Sequence, residues 1–338
     1  MAASEMADLQ AAWRALAGGT DREGWKAIPI ATKSSCLVQA GRRLPSDEEA
    51  LLVGFGSLSA LPAGRLPQGQ GFEVLRLLSD PGGTGRSWIA LAKRAGASPE
   101  LFAMMSEDLV RLLEGSTHLA DGALVARLLA RVSAWQDFME RHREGLLSIE
   151  AELGLFGELT ILGDIIELGA DPRLIVEAWQ GPLGGNQDFI PGTGALEVKS
   201  TLATSGFPAS IASLEQLDDS IRQPLFLAAV RLSLDPTGVT LPERADSIKS
   251  RLAEQGGVQD LFDIRLLQAG LLPKAVQRYT RRFLRRSTVV LAVSDIFPRL
   301  TRRSVHPAIG KARYEIELDL THFVDIGLER ALQSLGTI

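Results

Sequence analysis

The apolar positions change period several times along this chain. Between residues 6 and 18, Met6, Leu9, Trp13 and Leu16 recur at helical spacing and predict a short amphipathic helix. From about 25 to 95 the texture is different. Short apolar runs, Ala27–Thr32, Ala50–Phe55, Phe72–Leu78 and Trp88–Ala92, are split by Gly, Pro and Ser. Runs of this length between breakers predict strands, so the stretch reads as a β-rich N-terminal region. Asp80-Pro-Gly-Gly-Thr-Gly-Arg86 predicts a tight turn between two of those strands. It lacks the Gly-Lys-Ser/Thr ending of a Walker A loop, so it is read as a turn and not as a phosphate cradle.

From 98 to about 169 the period is helical. Ser98-Pro99-Glu100 sets an N-cap serine before a proline at the first helical position. Three helices are expected, at about 98–115, 121–143 and 146–168. The third is apolar almost all round, which predicts a buried helix, and Gly169 supplies its stop. Beyond it, segments 186–190, 194–201, 224–234, 287–296 and 313–320 predict strands, with helices at about 212–221, 242–254 and 258–269. The expected fold class is mixed α/β (α+β). Two regions follow: a β-rich stretch over 1–95, then 96–338, where a helical segment joins the mixed core.

Composition narrows the functional classes. With 338 residues, 45% hydrophobic and 23% charged, the chain can bury a sizeable core as a globular protein. A single cysteine, Cys36, excludes an internal disulfide and a Cys-rich zinc site, and makes the reducing cytoplasm the expected compartment. The four histidines are scattered without metal-ligand spacing. The N-terminus has no basic start or apolar stretch of a signal peptide, and no run of about 18 apolar residues predicts a membrane helix. A net charge of −5 means that any nucleic-acid contact comes from a local patch. Eleven lysines and arginines lie between Lys274 and Arg313, with Asp295 the only acid and with Tyr279 and Phe283 interleaved. Such a segment can follow a phosphate backbone. Arg278, Arg281, Arg282, Arg285 and Arg286 are its expected nucleic-acid contacts. The plainer alternative is a solvated face pairing with acids elsewhere, such as Glu243 or Asp246; nucleic acid is favoured because excess acids are not close by in sequence.

The chemistry concentrates in Asn186–Thr201. Pro191-Gly-Thr-Gly194 is a turn signal between two strand-like runs, so the segment reads as a β-hairpin. Asp188 lies just before the turn. Glu197 and Lys199 are two residues apart, so they share one strand face, while Leu196 and Val198 take the other. The set suits phosphodiester hydrolysis. Hard oxygen ligands hold Mg²⁺, which needs only one or two carboxylates beside waters and phosphate oxygens. The ion lowers the pKa of a bound water, and Lys199 is a point charge beside it. Glu158 falls in the buried helix on the face of Leu155, Ile161, Leu162 and Ile165, with Asp164 and Glu167 opposite. A carboxylate there requires a partner. A Glu-x-Lys on its own is usually a solvated salt-bridge face; the hairpin, Asp188 and Glu158 raise it to a candidate site.

At these residues the sequence resembles the restriction-endonuclease-like PD-(D/E)XK nucleases, and more narrowly a prokaryotic family grouped with them. The markers are Gly154-Leu-Phe-Gly-Glu-Leu159, Trp179, Asp188-Phe189, Glu197-Val-Lys-Ser-Thr201, Leu214-Glu-Gln-Leu217 and Arg313-Tyr-Glu-Ile316. The resemblance spans most of the chain. It implies a mixed central sheet flanked by helices, and Mg²⁺, with Mn²⁺ as substitute, held by Asp188 and Glu197 with Glu158 as a further acidic member. It implies an activating role for Lys199 and an auxiliary, nucleic-acid-facing role for Gln216. It also implies endonucleolytic hydrolysis of DNA in a restriction or phage-defence setting, with other defence subunits as candidate partners and a dimer left open. Gln187 stands where the family name has proline. Two other readings stay open: a non-catalytic DNA- or partner-binding module on the same fold, and a nuclease acting on RNA.

Overall fold

A computed structural model of the protein describes residues 2–18, 23–30, 32, 34–56, 66–69, 71–81, 83–141, 147–253, 255, 257–272 and 276–338. The chain divides into two compact units, residues 1–145 and 146–338.

In the first unit, β1 (Gly24–Pro29), β2 (Leu37–Leu44), β3 (Glu48–Phe55), β4 (Phe72–Arg76) and β5 (Ser87–Lys93) form one antiparallel sheet in the order β1-β2-β3-β5-β4. The apolar runs of β3 and β5 lie inside it and are wholly buried. β2 is a strand that apolar periodicity misses, because its second half is Gly-Arg-Arg. Those arginines are satisfied by other elements: Arg42 binds Trp13 O (2.9 Å) and pairs with Asp47, and Arg43 pairs with Glu73. The expected turn after β4 forms around Asp80, whose carboxylate accepts from Gly85 N (2.6 Å) and Trp88 Nε1 (2.8 Å).

The β-rich stretch ends near residue 95, but the compact unit ends later. Trp13 of α1 (Ala2–Leu16) donates to Ala50 O (2.8 Å), and its ring lies 5.5 Å from Phe102 of α2 (Pro99–Glu114). α3 (Asp121–Arg141) is tied to α2 by a buried network in which Asp108 accepts from Arg131 Nε (2.7 Å), Arg131 Nη2 (2.9 Å) and Trp135 Nε1 (2.8 Å). The two helices therefore belong with the N-terminal sheet.

In the second unit, a mixed sheet has the order β6 (Ala195–Thr201), β8 (Leu225–Val239), β9 (Phe283–Ala292). β6 runs parallel to β8, and β8 antiparallel to β9. A separate antiparallel pair joins β7 (Pro208–Ile211) to β10 (Tyr314–Glu317). α4 (Ile149–Glu167) packs along β6 and α6 (Leu241–Leu252). Ser148 caps α4 by accepting from Ala151 N. Gly157 lets the helix approach the sheet: a Cβ there would come within 1.8 Å of Ser200 Oγ. Leu155, Ile161, Leu162 and Ile165 are buried as expected, while Asp164 and Glu167 on the other side pair with Arg285 and Arg251. α5 (Pro172–Ala178), α7 (Val258–Gln268) and α8 (Leu328–Leu335) complete the unit; α5 and α8 are additions to the expected elements.

Two expectations change. Residues 212–221 are turns and bends, not a helix. Leu214 and Leu217 are buried at a helix-like spacing, but side chains here take up the backbone groups. Gln216 Oε1 accepts from Ala212 N (2.7 Å), and Asp218 from Ser220 N (2.9 Å), the usual competition of such residues with helix bonds. The first arm of the hairpin also shrinks, from 186–190 to Phe189, which bridges Trp179 on one side and Leu196 on the other. The carbonyl of Asp188 is taken instead by Gln180 N (2.7 Å) and Gly181 N (3.1 Å). Among the described residues no helix is long and apolar enough to cross a membrane.

Candidate active site

β6 is the end strand of its three-stranded sheet, and beyond the Phe189–Leu196 bridge the outer side of its backbone has no strand partner among the described residues. Asp188 uses it: Oδ2 accepts from Val198 N at 2.8 Å, which fixes the carboxylate beside the strand. Side chains alternate along β6. Val198 and Ser200 face Gly157 of α4, and Glu197 and Lys199 point the other way. Glu197 is only 1% exposed, and Lys199 Nζ lies 2.7 Å from its Oε1. Beside that ion pair, the backbone N–H of Asp188 also favours the charged form of Glu197. Gln216 holds the lysine from the far side, its Oε1 3.4 Å from Nζ.

Glu158 reaches the same site from α4. Its Oε2 accepts from Trp179 Nε1 at 2.7 Å, the partner that a carboxylate on an apolar helix face needs. Gly181 lies where two carboxylates meet. A Cβ there would fall 2.3 Å from Glu158 Oε2 and 3.1 Å from Asp188 Oδ1. Glu158, Asp188, Glu197, Lys199 and Gln216 thus come together. Trp179 stood out in the sequence only as a marker of resemblance, and no sequence signal distinguished Gly181.

The charges strain one another. Burial, then the neighbouring Asp188, pushes the Glu197 carboxyl up from 4.5 to about 8. Burial, then Asp188, drives Glu158 well above the ordinary carboxylate range. Burial also raises Asp188, against the opposing pull of Lys199. Burial alone would lower Lys199, but Glu197, Asp188 and Glu158 together hold its ammonium above the ordinary value. Asp188→Asn keeps the shape of the bond to Val198 N and removes one of these charges. It is expected to stabilise the metal-free protein by about 1 kcal/mol. Thermal melts in EDTA check this, and a lower melting temperature for the variant would make Asp188 a structural residue.

Do these residues fit a cation? A buried carboxylate crowded by a second one, with a single lysine to offset them, is a donor set that favours bound positive charge. Among the described residues, no three His, Cys, Asp or Glu side chains gather closely enough to hold a metal ion. Asp188 and Glu197 are the fitting pair, since Mg²⁺ keeps several waters and needs only one or two carboxylates. Glu158 stands beside them with one oxygen engaged by Trp179.

The basic cluster is arranged differently from the expectation. Arg281 binds Glu152 (Nε to Oε2, 2.6 Å), Arg282 pairs with Glu243 (3.0 Å), Arg285 with Asp164, and Arg286 with Asp235 (3.1 Å). The acids come from α4, α6 and β8, far away in sequence. The alternative of pairing with acids such as Glu243 describes these four arginines. Arg278 is exposed, and Lys274 lies outside the described residues.

A mixed α/β unit with a glutamate and a lysine on one strand, an aspartate fixed beside that strand, and a glutamate supplied from the adjoining helix, defines the nuclease-like PD-(D/E)XK class. The chain belongs to the family described as "Putative PD-(D/E)XK family member, (DUF4420)", whose model matches residues 9–319. Comparisons with curated proteins and with solved structures return no match.

Proposed function

We propose that this protein is a Mg²⁺-dependent endonuclease that hydrolyses DNA phosphodiester bonds, as part of a prokaryotic restriction or phage-defence system. The observation that carries this reading is Glu197, buried, paired with Lys199 and crowded by Asp188. A binding scaffold has no physical need for two carboxylates and a lysine in one recess. Asp188 and Glu197 would hold Mg²⁺ or Mn²⁺. When bound, such an ion acidifies a water and neutralises phosphate charge.

The chain's own residues do the rest. Lys199 keeps its proton, so its ammonium can orient the attacking water and offset the charge developing on the phosphate. Gln216 limits the swing of that ammonium by accepting from it. Glu158 is fixed by Trp179 and holds its proton to higher pH than an ordinary glutamate. Gly181 leaves room for the carboxylates of Glu158 and Asp188.

The direct test is purified protein with plasmid and single-stranded DNA, in Mg²⁺, Mn²⁺ or EDTA. Cleavage in the metals and not in EDTA is expected. Binding without cleavage in either metal would favour the non-catalytic module. A finer test is Gly181→Ala. The new methyl meets carboxylate oxygens and not backbone, so the shift it forces falls on Glu158 and Asp188. Cleavage is expected to fall about tenfold, as misplacement by about 1 Å can cost even more, with little change in melting temperature. Unchanged cleavage by this variant would remove Glu158 and Asp188 from the working geometry.

A further inference from the structure

The loop between β9 and β10 carries a charge bias that the paired arginines do not. Residues 296–313 contain five cations, Arg299, Arg302, Arg303, Lys311 and Arg313, and no carboxylate. Two of the five hold the loop in place. Arg299 pairs with Asp219 (2.9 Å) and donates to Leu217 O (2.6 Å), and Arg302 pairs with Glu215 (2.7 Å). Both clamp the segment whose Gln216 reaches Lys199. The other three, Arg303, Lys311 and Arg313, are exposed, with no acidic partner among the described residues.

A cavity of about 850 Å³ adjoins this loop. Its walls include Ile296, Leu300, Tyr314, Leu320 and Phe323, and at its β10 side the carboxylates Glu315 and Glu317. Ile296 and Leu320 are 82% and 72% exposed, a costly display for apolar side chains. The Tyr314 hydroxyl accepts from Leu300 N (2.9 Å) and so joins two of these walls. Tyr314 also pairs with Ile211 in the β7–β10 sheet, one residue before Ala212, whose N–H is bound by Gln216. Cleft, basic loop and Lys199 therefore share one hydrogen-bonded frame.

We propose that this loop and cleft are the surface on which a single DNA strand lies as it approaches Lys199. Arg303, Lys311 and Arg313 take phosphates, and the cleft takes an unpaired base. Three cations with no acidic partner among the described residues, on a loop whose single acid, Asp295, pairs with Arg299, complement a polyanion. A largely apolar recess with Tyr314 and Phe323 in its wall suits a base with its ring faces free, and a base in a duplex reaches such a recess only after unstacking. That the strand runs on to Lys199 follows from the proposed nuclease reading, on which this inference rests.

The test uses the full chain in EDTA, with a fluorescently labelled single-stranded oligonucleotide, the matched duplex, and RNA of the same sequence. Anisotropy is read across a salt series. The Arg303→Ala/Lys311→Ala/Arg313→Ala variant should bind single-stranded DNA at least about tenfold more weakly. Its slope of log K against log salt should shrink by about 2, at about 0.7 for each lost phosphate contact. Arg282→Ala/Arg286→Ala should bind as the wild type does. Leu320→Asp should weaken the single strand more than the duplex. Because the altered side chains are exposed, unchanged thermal melts are the folding control. Unchanged affinity and slope in the triple variant overturn the proposal, as does preference for the duplex or for RNA. Loop-dependent binding by a wild type that cuts nothing in Mg²⁺ overturns the nuclease reading and leaves this surface standing. Loop-independent binding by a wild type that cuts overturns the surface alone.

Discussion

Lys199→Met is expected to slow DNA cleavage by about 10²–10³-fold, the usual loss when one preorganised positive donor at a developing charge is removed. Methionine keeps much of the stem and loses the ammonium. The change acts twice. The phosphate loses its nearest fixed cation, and Glu197 loses the partner 2.7 Å away that holds its carboxyl down against burial and Asp188. Glu197 in the variant then keeps its proton to still higher pH, and metal affinity at neutral pH falls because the proton must leave first. Lys199→Arg preserves charge but not the compact geometry of an ammonium, so it should recover only part of the rate. Single-turnover cleavage with protein in excess, across a Mg²⁺ titration, separates the two effects. A residual rate within threefold of wild type at saturating Mg²⁺ would exclude Lys199 from the chemistry.

The metal-free protein is expected to lose stability as pH rises from about 5 to 8, and Glu197→Gln to abolish much of that loss. The sign follows from where the proton sits. Glu197 titrates near 4.5 in the unfolded chain and at about 8 in the fold. Below 4.5 both states carry the proton and folding loses nothing. Between the two values the unfolded chain releases it and the folded chain does not, so stability drops with each pH unit until both are ionised. At about 1.4 kcal/mol per unit, the loss from pH 5 to pH 8 is about 4 kcal/mol for this residue. Glu158 and Asp188, both raised by burial, act in the same direction. Glutamine carries no charge to desolvate, and it offers Lys199 an acceptor of similar shape. Denaturant midpoints in EDTA at pH 5, 6.5 and 8 measure the slope. Parallel curves for wild type and Glu197→Gln would show that Glu197 is already ionised in the fold. Mg²⁺ should restore the wild type at pH 8 by preferential binding to the folded state, and the variant much less.

Residues that act through local spacing are legible in the sequence itself. The period of two on β6 puts Glu197 and Lys199 on one face and Val198 on the other. The helical period puts Glu158 on the buried side of α4 and Asp164 opposite, where it pairs with Arg285. Caps and breakers mark α2 and α4 to within a few residues. These features depend on backbone geometry and side-chain size, which repeat every two or 3.6 residues whatever lies nearby.

The rest depends on partners distant in the chain, and only the tertiary structure decided it. β2 is a strand because Arg42 and Arg43 find acceptors on α1, β3 and β4 or in the turn before β3. Residues 212–221 are not a helix because Gln216 and Asp218 bind the local backbone, and Gln216 binds Lys199 as well. A cluster of arginines that looks free in sequence is neutralised by Glu152, Asp164, Asp235 and Glu243, while Arg303, Lys311 and Arg313 have no acidic partner among the described residues. A side chain's charge is written in the sequence, but whether that charge is spent on a neighbour is set by long-range contacts that no local period encodes.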